Sequence, residues 1–159
     1  MTHLCFIGLG SNLGEPRDQI ERAIADIGRL PETSLLASSA FYRSAPIGYL
    51  DQPDFVNAVI KIRTSLAPRQ LLLALLGIER QHGRERTFSN APRTLDLDVL
   101  LYDDIELREP GLAIPHPEMH RRAFVLQPLL EIAPDCAIPS VGLASEALRK
   151  CLDQALEKL

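Results

Sequence analysis

The stretch Gly83–Asp104, GRERTFSNAPRTLDLDVLLYDD, joins two segments of opposite character. Its first half is a polar loop with Arg84, Arg86 and Arg93, and the run Asn90-Ala91-Pro92 interrupts any helix there. Its second half alternates, with Leu95, Leu97 and Val99 on one parity and Asp96 and Asp98 on the other. Alternation of this kind marks a half-buried strand, so the two aspartates project from the same face. Two residues apart on a strand is roughly 6.6 Å, close enough for both carboxylates to converge on a pair of cations about 3.5–4 Å apart. An ordinary solvated strand face is the plain alternative. The arginines argue for more: guanidinium forks suit phosphate oxygens and carboxylates suit Mg²⁺, the two halves of a Mg-nucleotide. The stretch is a candidate phosphoryl-transfer site.

Moving towards the N-terminus, Ser65–Pro68 opens a helix whose core stripe is Leu71, Leu72, Leu75, Leu76 and Ile78, with Glu79 as a solvated acid at the end nearest the arginine loop. Phe55–Arg63 alternates as a strand and carries Asn57 between apolar neighbours, either a satisfied buried amide or a ligand contact. Leu35–Arg43 reads as one strand, followed by the loop SAPIGYLDQPD. Pro16 starts a helix faced by Ile20, Ala23, Ile24, Ile27 and Leu30. Leu4–Leu9 is a short buried strand leading into the turn-rich GSNLGEPR. Glycines 8, 10 and 14 do not make a dinucleotide fingerprint, because Leu13 stands where its third glycine belongs; a plain tight turn is the expectation. The order strand, helix, strand, strand, helix, strand is the split βαβ pattern. It predicts an α+β, ferredoxin-like βαββαβ core: an antiparallel sheet with helices on one face and the acids on the opposite, open face.

The C-terminal third completes a single domain over residues 1–159. Ile105–Leu107 is a candidate short strand, and Leu143–Leu159 a terminal amphipathic helix. Between them His116 and His120 are four apart, but H-x-E-x-H is not the zincin H-E-x-x-H, and Pro117 confines helix to its first turn. His116 is better suited to donating to a phosphate or capping a loop, with Arg121 and Arg122 adding cationic reach or forming a solvated basic corner.

The totals narrow the classes. A chain of 159 residues, 46% hydrophobic and 24% charged, is an ordinary globular domain. A net charge of −4 argues against broad nucleic-acid or membrane binding. The 3 cysteines are scattered, as expected of reduced thiols in a cytoplasmic protein. No signal-like n-region or membrane-length apolar run is present, and a monomer is the expectation.

The run Ala91-Pro92-Arg93-Thr94-Leu95-Asp96-Leu97-Asp98 resembles the signature of the 6-hydroxymethyl-dihydropterin pyrophosphokinase family of the folate pathway. GLGSNLG near the start, FYRSAPIGYLDQPDFVNAV in the middle and IPHPEMHRRAFVLQPLLEIAP near the end extend the resemblance over the whole chain. It implies the same ferredoxin-like fold and transfer of the pyrophosphoryl unit of ATP to the pterin hydroxymethyl oxygen, releasing AMP. It implies two Mg²⁺ ions held by Asp96 and Asp98, and a catalytic set of Arg84, Arg93, Asp96 and Asp98. Glu79, Arg84, Arg86, Arg93, Val99, His116 and Arg122 match positions on the ATP side. Ser44, Ala45, Ile47, Phe55, Asn57, Asp96 and Phe124 match the pterin side. The chain has no tryptophan, so the family's loop tryptophan has no counterpart; Phe88, Ser89 and Asn90 stand in that region. Phe55 stands where a tyrosine can occur.

Two rival readings remain from the residues alone. A nucleotidyltransferase or phosphohydrolase with the same two-acid logic would yield pyrophosphate or inorganic phosphate. A non-catalytic ferredoxin-like module would bind RNA or itself; the absent aromatic RNA-binding signature disfavours RNA.

Overall fold

Strand β1 (His3–Ser11) is the axis of the sheet, paired on both sides along most of its length. The computed structural model describes residues 1–46, 50–83 and 95–159. One side of β1 takes β4 (Phe55–Thr64) and the other takes β5 (Asp96–Tyr102), both antiparallel. Beyond β4 lie β2 (Thr33–Ser38) and β3 (Tyr42–Ser44), both antiparallel to it. Helices α1 (Pro16–Gly28) and α2 (Pro68–Gln81) connect β1 to β2 and β4 to β5. This is the expected βαββαβ core.

Both helices open as their sequences require. Each carries proline in its first turn, where no donor is lost, and Gln70 accepts the Ala67 N–H at 2.8 Å to close the start of α2. Ile20, Ala23 and Ile27 of α1 and Leu71, Leu75 and Ile78 of α2 pack on Ile7, Leu9, Ala58, Ile60, Leu97 and Val99. Leu97 and Val99 therefore face the helices, and Asp96 and Asp98 face away.

Three expectations are corrected. The single strand at Leu35–Arg43 is two strands, with a register shift between Leu35 and Ala37. At the break, Ser39 donates its N–H to Val59 O and accepts the Val59 N–H on Oγ, so a hydroxyl completes the ladder. The opposite face is only partly open. There α3 (Ala123–Ile132) and the short α4 (Ala144–Arg149) cover Val59, Leu100 and Leu101 with Val125, Leu126 and Leu129. The long terminal helix is also absent: α4 stops at Arg149, and the chain returns as strand β10 (Leu156–Lys158) along the outer edge of β3. Leu156 pairs with Ser44 and Lys158 with Tyr42.

Two small hairpins complete the chain, β6 (Leu107–Glu109) with β7 (Leu112–Ile114) and β8 (Ala137–Ile138) with β9 (Gly142–Leu143). The strand foreseen at Ile105–Leu107 thus begins where that prediction ended. All three cysteines are free thiols, and burial, helped by the charge of Asp103, pushes Cys5 up to about 12.

Candidate active site

Residues directly opposite one another in an antiparallel ladder share a face. Across the sheet, Asp96 pairs with Gly10, Gly10 with Asn57, and Asn57 with Tyr42; one step along, Asp98 pairs with Gly8 and Gly8 with Val59. The acids and Asn57 therefore stand on either side of a strip of bare backbone. A Cβ at Gly10 would sit 3.4 Å from Asn57 Oδ1 and 3.8 Å from Phe55 Cδ1, and one at Gly8 would sit 3.4 Å from Leu100 Cδ2. Gly8 lies within the strand as expected, and Gly10 does too, which corrects the tight-turn expectation there; Gly14, with φ +65°, is the one of the three in a left-handed turn conformation. Sequence reasoning missed both as site residues. Their G-x-G spacing within an apolar strand was the available signal, since residues two apart share a face.

Asn57 is 4% exposed, with its amide nitrogen donating to Ser44 Oγ at 2.8 Å and to Tyr42 O at 3.5 Å. A carbonyl only accepts, so the Tyr42 contact fixes the amide orientation and turns Oδ1 towards Gly10. Ser44 is buried in β3, Phe55 is half-buried at the start of β4, and Ala45 is exposed just past β3. A second tie was also missed: Asn12, 1% exposed, donates to Gln52 Oε1 at 2.8 Å and Pro53 O at 3.0 Å, pinning the segment that leads into Phe55.

Glu79 is not the solvated helix-end acid expected. It is 2% exposed, and its Oε2 accepts the N–H of Leu97, the residue between the two aspartates, at 2.7 Å. It steadies that strand from the helix side. Val99 turns its side chain into the helix-covered core, on the face opposite Asp98, so its side chain takes no part in the acid face.

His116 is tied to β5 by its N–H, which donates to Leu100 O at 3.0 Å. Its Nδ1 accepts the Glu118 N–H at 3.1 Å, which assigns the proton of the neutral ring to Nε2. That nitrogen lies 4.0 Å from Asp98 Oδ2. Burial and then the Arg122 charge hold His116 below its ordinary value, with Asp96 and Glu118 pulling the other way. Arg122 lies over the Phe124 ring at 5.6 Å, on the start of α3. The structure thus brings Asp98 and His116 together and sets Arg122 against Phe124. Arg84, Arg86, Arg93 and Ile47 lie outside the described residues.

Among the described residues, no group of three or more His, Cys, Asp or Glu side chains is arranged to hold a metal. Two carboxylates on one strand face, half-buried above a glycine floor, fit Mg²⁺, a cation that keeps water and substrate phosphates among its ligands.

Comparison with known proteins follows the same lines. The family model described as 7,8-dihydro-6-hydroxymethylpterin-pyrophosphokinase (HPPK) matches residues 6–134. The chain is 47% identical over 159 residues to the 2-amino-4-hydroxy-6-hydroxymethyldihydropteridine pyrophosphokinase of Pseudomonas aeruginosa, covering 100% of this chain and 98% of that one. It is 45% identical over 154 residues to the enzyme of the same description from Haemophilus influenzae, covering 97% and 96%. Among solved structures, Plasmodium falciparum HPPK-DHPS with pterin and p-hydroxybenzoate superposes with a TM-score of 0.74 at 14% identity, a likeness of fold. That superposition covers 96% of this chain but 44% of the solved one, so the chain spans under half of that protein's length.

Proposed function

The chain belongs to the 7,8-dihydro-6-hydroxymethylpterin-pyrophosphokinase family, and from that premise we propose how its sheet face carries the reaction. The substrates are ATP and 6-hydroxymethyl-7,8-dihydropterin; the pyrophosphoryl group passes to the hydroxymethyl oxygen and AMP leaves, a step of folate biosynthesis. The observation that carries the reading is the row Asp96–Gly10–Asn57, which sets an acid and an oriented amide either side of a strip without side chains.

A flat pterin would lie on that strip. Asn57 Oδ1 would accept from its ring N–H or amino group, with Ser44 holding the amide and Phe55 and Phe124 supplying apolar contact. Ala45 and Ile47 would contribute main-chain contacts from the segment after β3. Asp96 and Asp98 would hold two Mg²⁺ ions. Bound there, the ions supply neutralisation of phosphate charge, the main requirement of phosphoryl transfer. His116, kept neutral, would donate its Nε2–H to a phosphate oxygen, and Arg122 would add a fixed cation beside it. Arg84, Arg86 and Arg93 would complete the phosphate contacts from the loop, and Glu79 would act by fixing Leu97. The reading takes residues 1–159 as one catalytic domain, working as a cytoplasmic monomer. Among the described residues no helix is long and apolar enough to cross a membrane.

The test is product analysis with ATP, Mg²⁺ and the reduced pterin, omitting pterin and metal in turn. AMP that needs both components is the expected result. ADP, or pyrophosphate formed without pterin, would overturn the acceptor assignment.

A further inference from the structure

The start of α3 carries Arg122, and its main chain is held on both sides by a residue far away in sequence. Gln154 accepts the Ala123 N–H on Oε1 at 2.9 Å and donates from Nε2 to Arg121 O at 2.7 Å. One amide therefore bonds the peptide groups flanking Arg122. The Ala123 N–H is a first-turn donor of the helix with no acceptor within it, so the contact also caps α3. No side chain of the helix's own N-cap does so.

The base of Gln154 is itself fixed. Its N–H donates to Cys151 O at 3.0 Å, closing the turn after α4, and Cys151 is buried. Two residues further on the chain enters β10, whose Leu156 pairs with Ser44, the hydroxyl partner of Asn57. The tail is anchored to the pterin side of the sheet while its glutamine grips the backbone under the arginine.

We propose that Gln154 is a positioning residue for Arg122, setting the guanidinium where the nucleotide phosphates lie. The proposal rests on the reading of Arg122 as a phosphate contact, and the test separates the two. Gln154 is exposed, so Gln154→Ala removes the clamp without opening a cavity in the core. Weakening one contact between Arg122 and a phosphate corresponds to a rise in KM for ATP of roughly tenfold. KM for the pterin should rise less than KM for ATP, since Gln154 bonds the main chain on either side of Arg122 and Phe124 lies one residue beyond the clamped Ala123.

The deciding measurement is a double-mutant cycle with Arg122→Ala, steady-state kinetics on each variant and a melting temperature alongside. The expected result is that Arg122→Ala raises KM for ATP and that adding Gln154→Ala to it changes nothing further. If Arg122→Ala leaves ATP kinetics intact, the phosphate reading falls and the proposal with it. If Arg122→Ala impairs ATP use and Gln154→Ala does not, or acts additively, the proposal alone is overturned. A loss on both substrates that tracks a lower melting temperature overturns it too. Should Gln154→Ala fail to fold, Gln154→Leu keeps the bulk of the side chain and removes both the acceptor for the Ala123 N–H and the donor to Arg121 O without adding a charge. It must then raise KM for ATP as the alanine variant is expected to, and an unchanged value would refute the clamp.

Discussion

Gly10 lies in extended strand, with no positive φ to demand glycine; what its position excludes is volume. A methyl there would touch Asn57 Oδ1 at 3.4 Å and fill the strip on which the pterin is proposed to lie. Gly10→Ala should therefore fold normally and raise KM for the pterin about tenfold, from the roughly 1–3 kcal/mol cost of overpacking at 1.4 kcal/mol per decade. ATP kinetics measured on the same variant should be little changed, and an unaltered pterin KM would sink the assignment of the floor. Asp98 makes the opposite kind of prediction. Its carboxylate is proposed to act through charge at the phosphates, so Asp98→Ala should lower turnover roughly a thousandfold, about three decades at 1.36 kcal/mol each. Circular dichroism should stay that of the wild type; a near-normal rate in a folded variant would remove the acid from the site. The acids were legible from the sequence because alternation names a face without any knowledge of neighbours. The glycine floor was not, because it exists only once register sets Gly8 beside Asp98 and Gly10 beside Asp96. Glu79 was misread for a related reason. Its partner is a backbone N–H on another element, which no local pattern announces.

Among the elements, α3 is one to which the sequence pattern assigns no structure. Its segment AFVLQPLLEI is apolar nearly all round and contains Pro128, so it shows no 3.6-residue stripe. That composition is what a helix buried between a sheet and a second helix requires, and tertiary burial decided the element. The terminal helix failed by the same competition: the free edge of β3 claimed Leu156–Lys158 as a strand. The split βαβ order, by contrast, came from strong periodicity in α1, α2 and their flanking strands, and it stands. Leu126 of α3 is fully buried against the sheet, so Leu126→Ala should cost about 2–5 kcal/mol, read from urea denaturation. A much smaller loss would mean that α3 is a loosely held cover. The other tie of α3 to the sheet depends on pH. Burial would raise Glu131, but the Tyr42 hydroxyl at 2.5 Å, the Ala40 N–H at 2.9 Å and the charge of Lys158 together hold it below its ordinary 4.5. A carboxyl depressed on folding adds stability above its unfolded value and loses it as pH falls through the folded one. Glu131→Gln should therefore melt below wild type at pH 7, with the gap closing below about pH 4.5. A gap that is constant from pH 7 to pH 3 would show that charge plays no part.

For the whole molecule, the charge balance makes metal dependence a question about binding. The chain carries −4 overall and presents two carboxylates at the proposed phosphate position, so free ATP meets like charge there. With Mg²⁺ the repulsion becomes attraction, and ligand binding to the native state stabilises it by mass action. At a hundred times Kd that stabilisation is about 2.7 kcal/mol. For a domain of this size, about 2–4 °C per kcal/mol gives a rise in melting temperature of roughly 5–11 °C. Chelating the metal should abolish the rise produced by ATP while leaving the ligand-free melting temperature where it was, because the fold rests on two apolar clusters packed against the two sheet faces. Thermal melts with ATP, with and without Mg²⁺ and EDTA, read both effects in one series. A rise that survives EDTA would mean that the arginines and His116 hold the nucleotide without help from Asp96 and Asp98. A drop in the ligand-free value would make the acids part of a structural metal centre, and the catalytic reading of that strand would have to be given up.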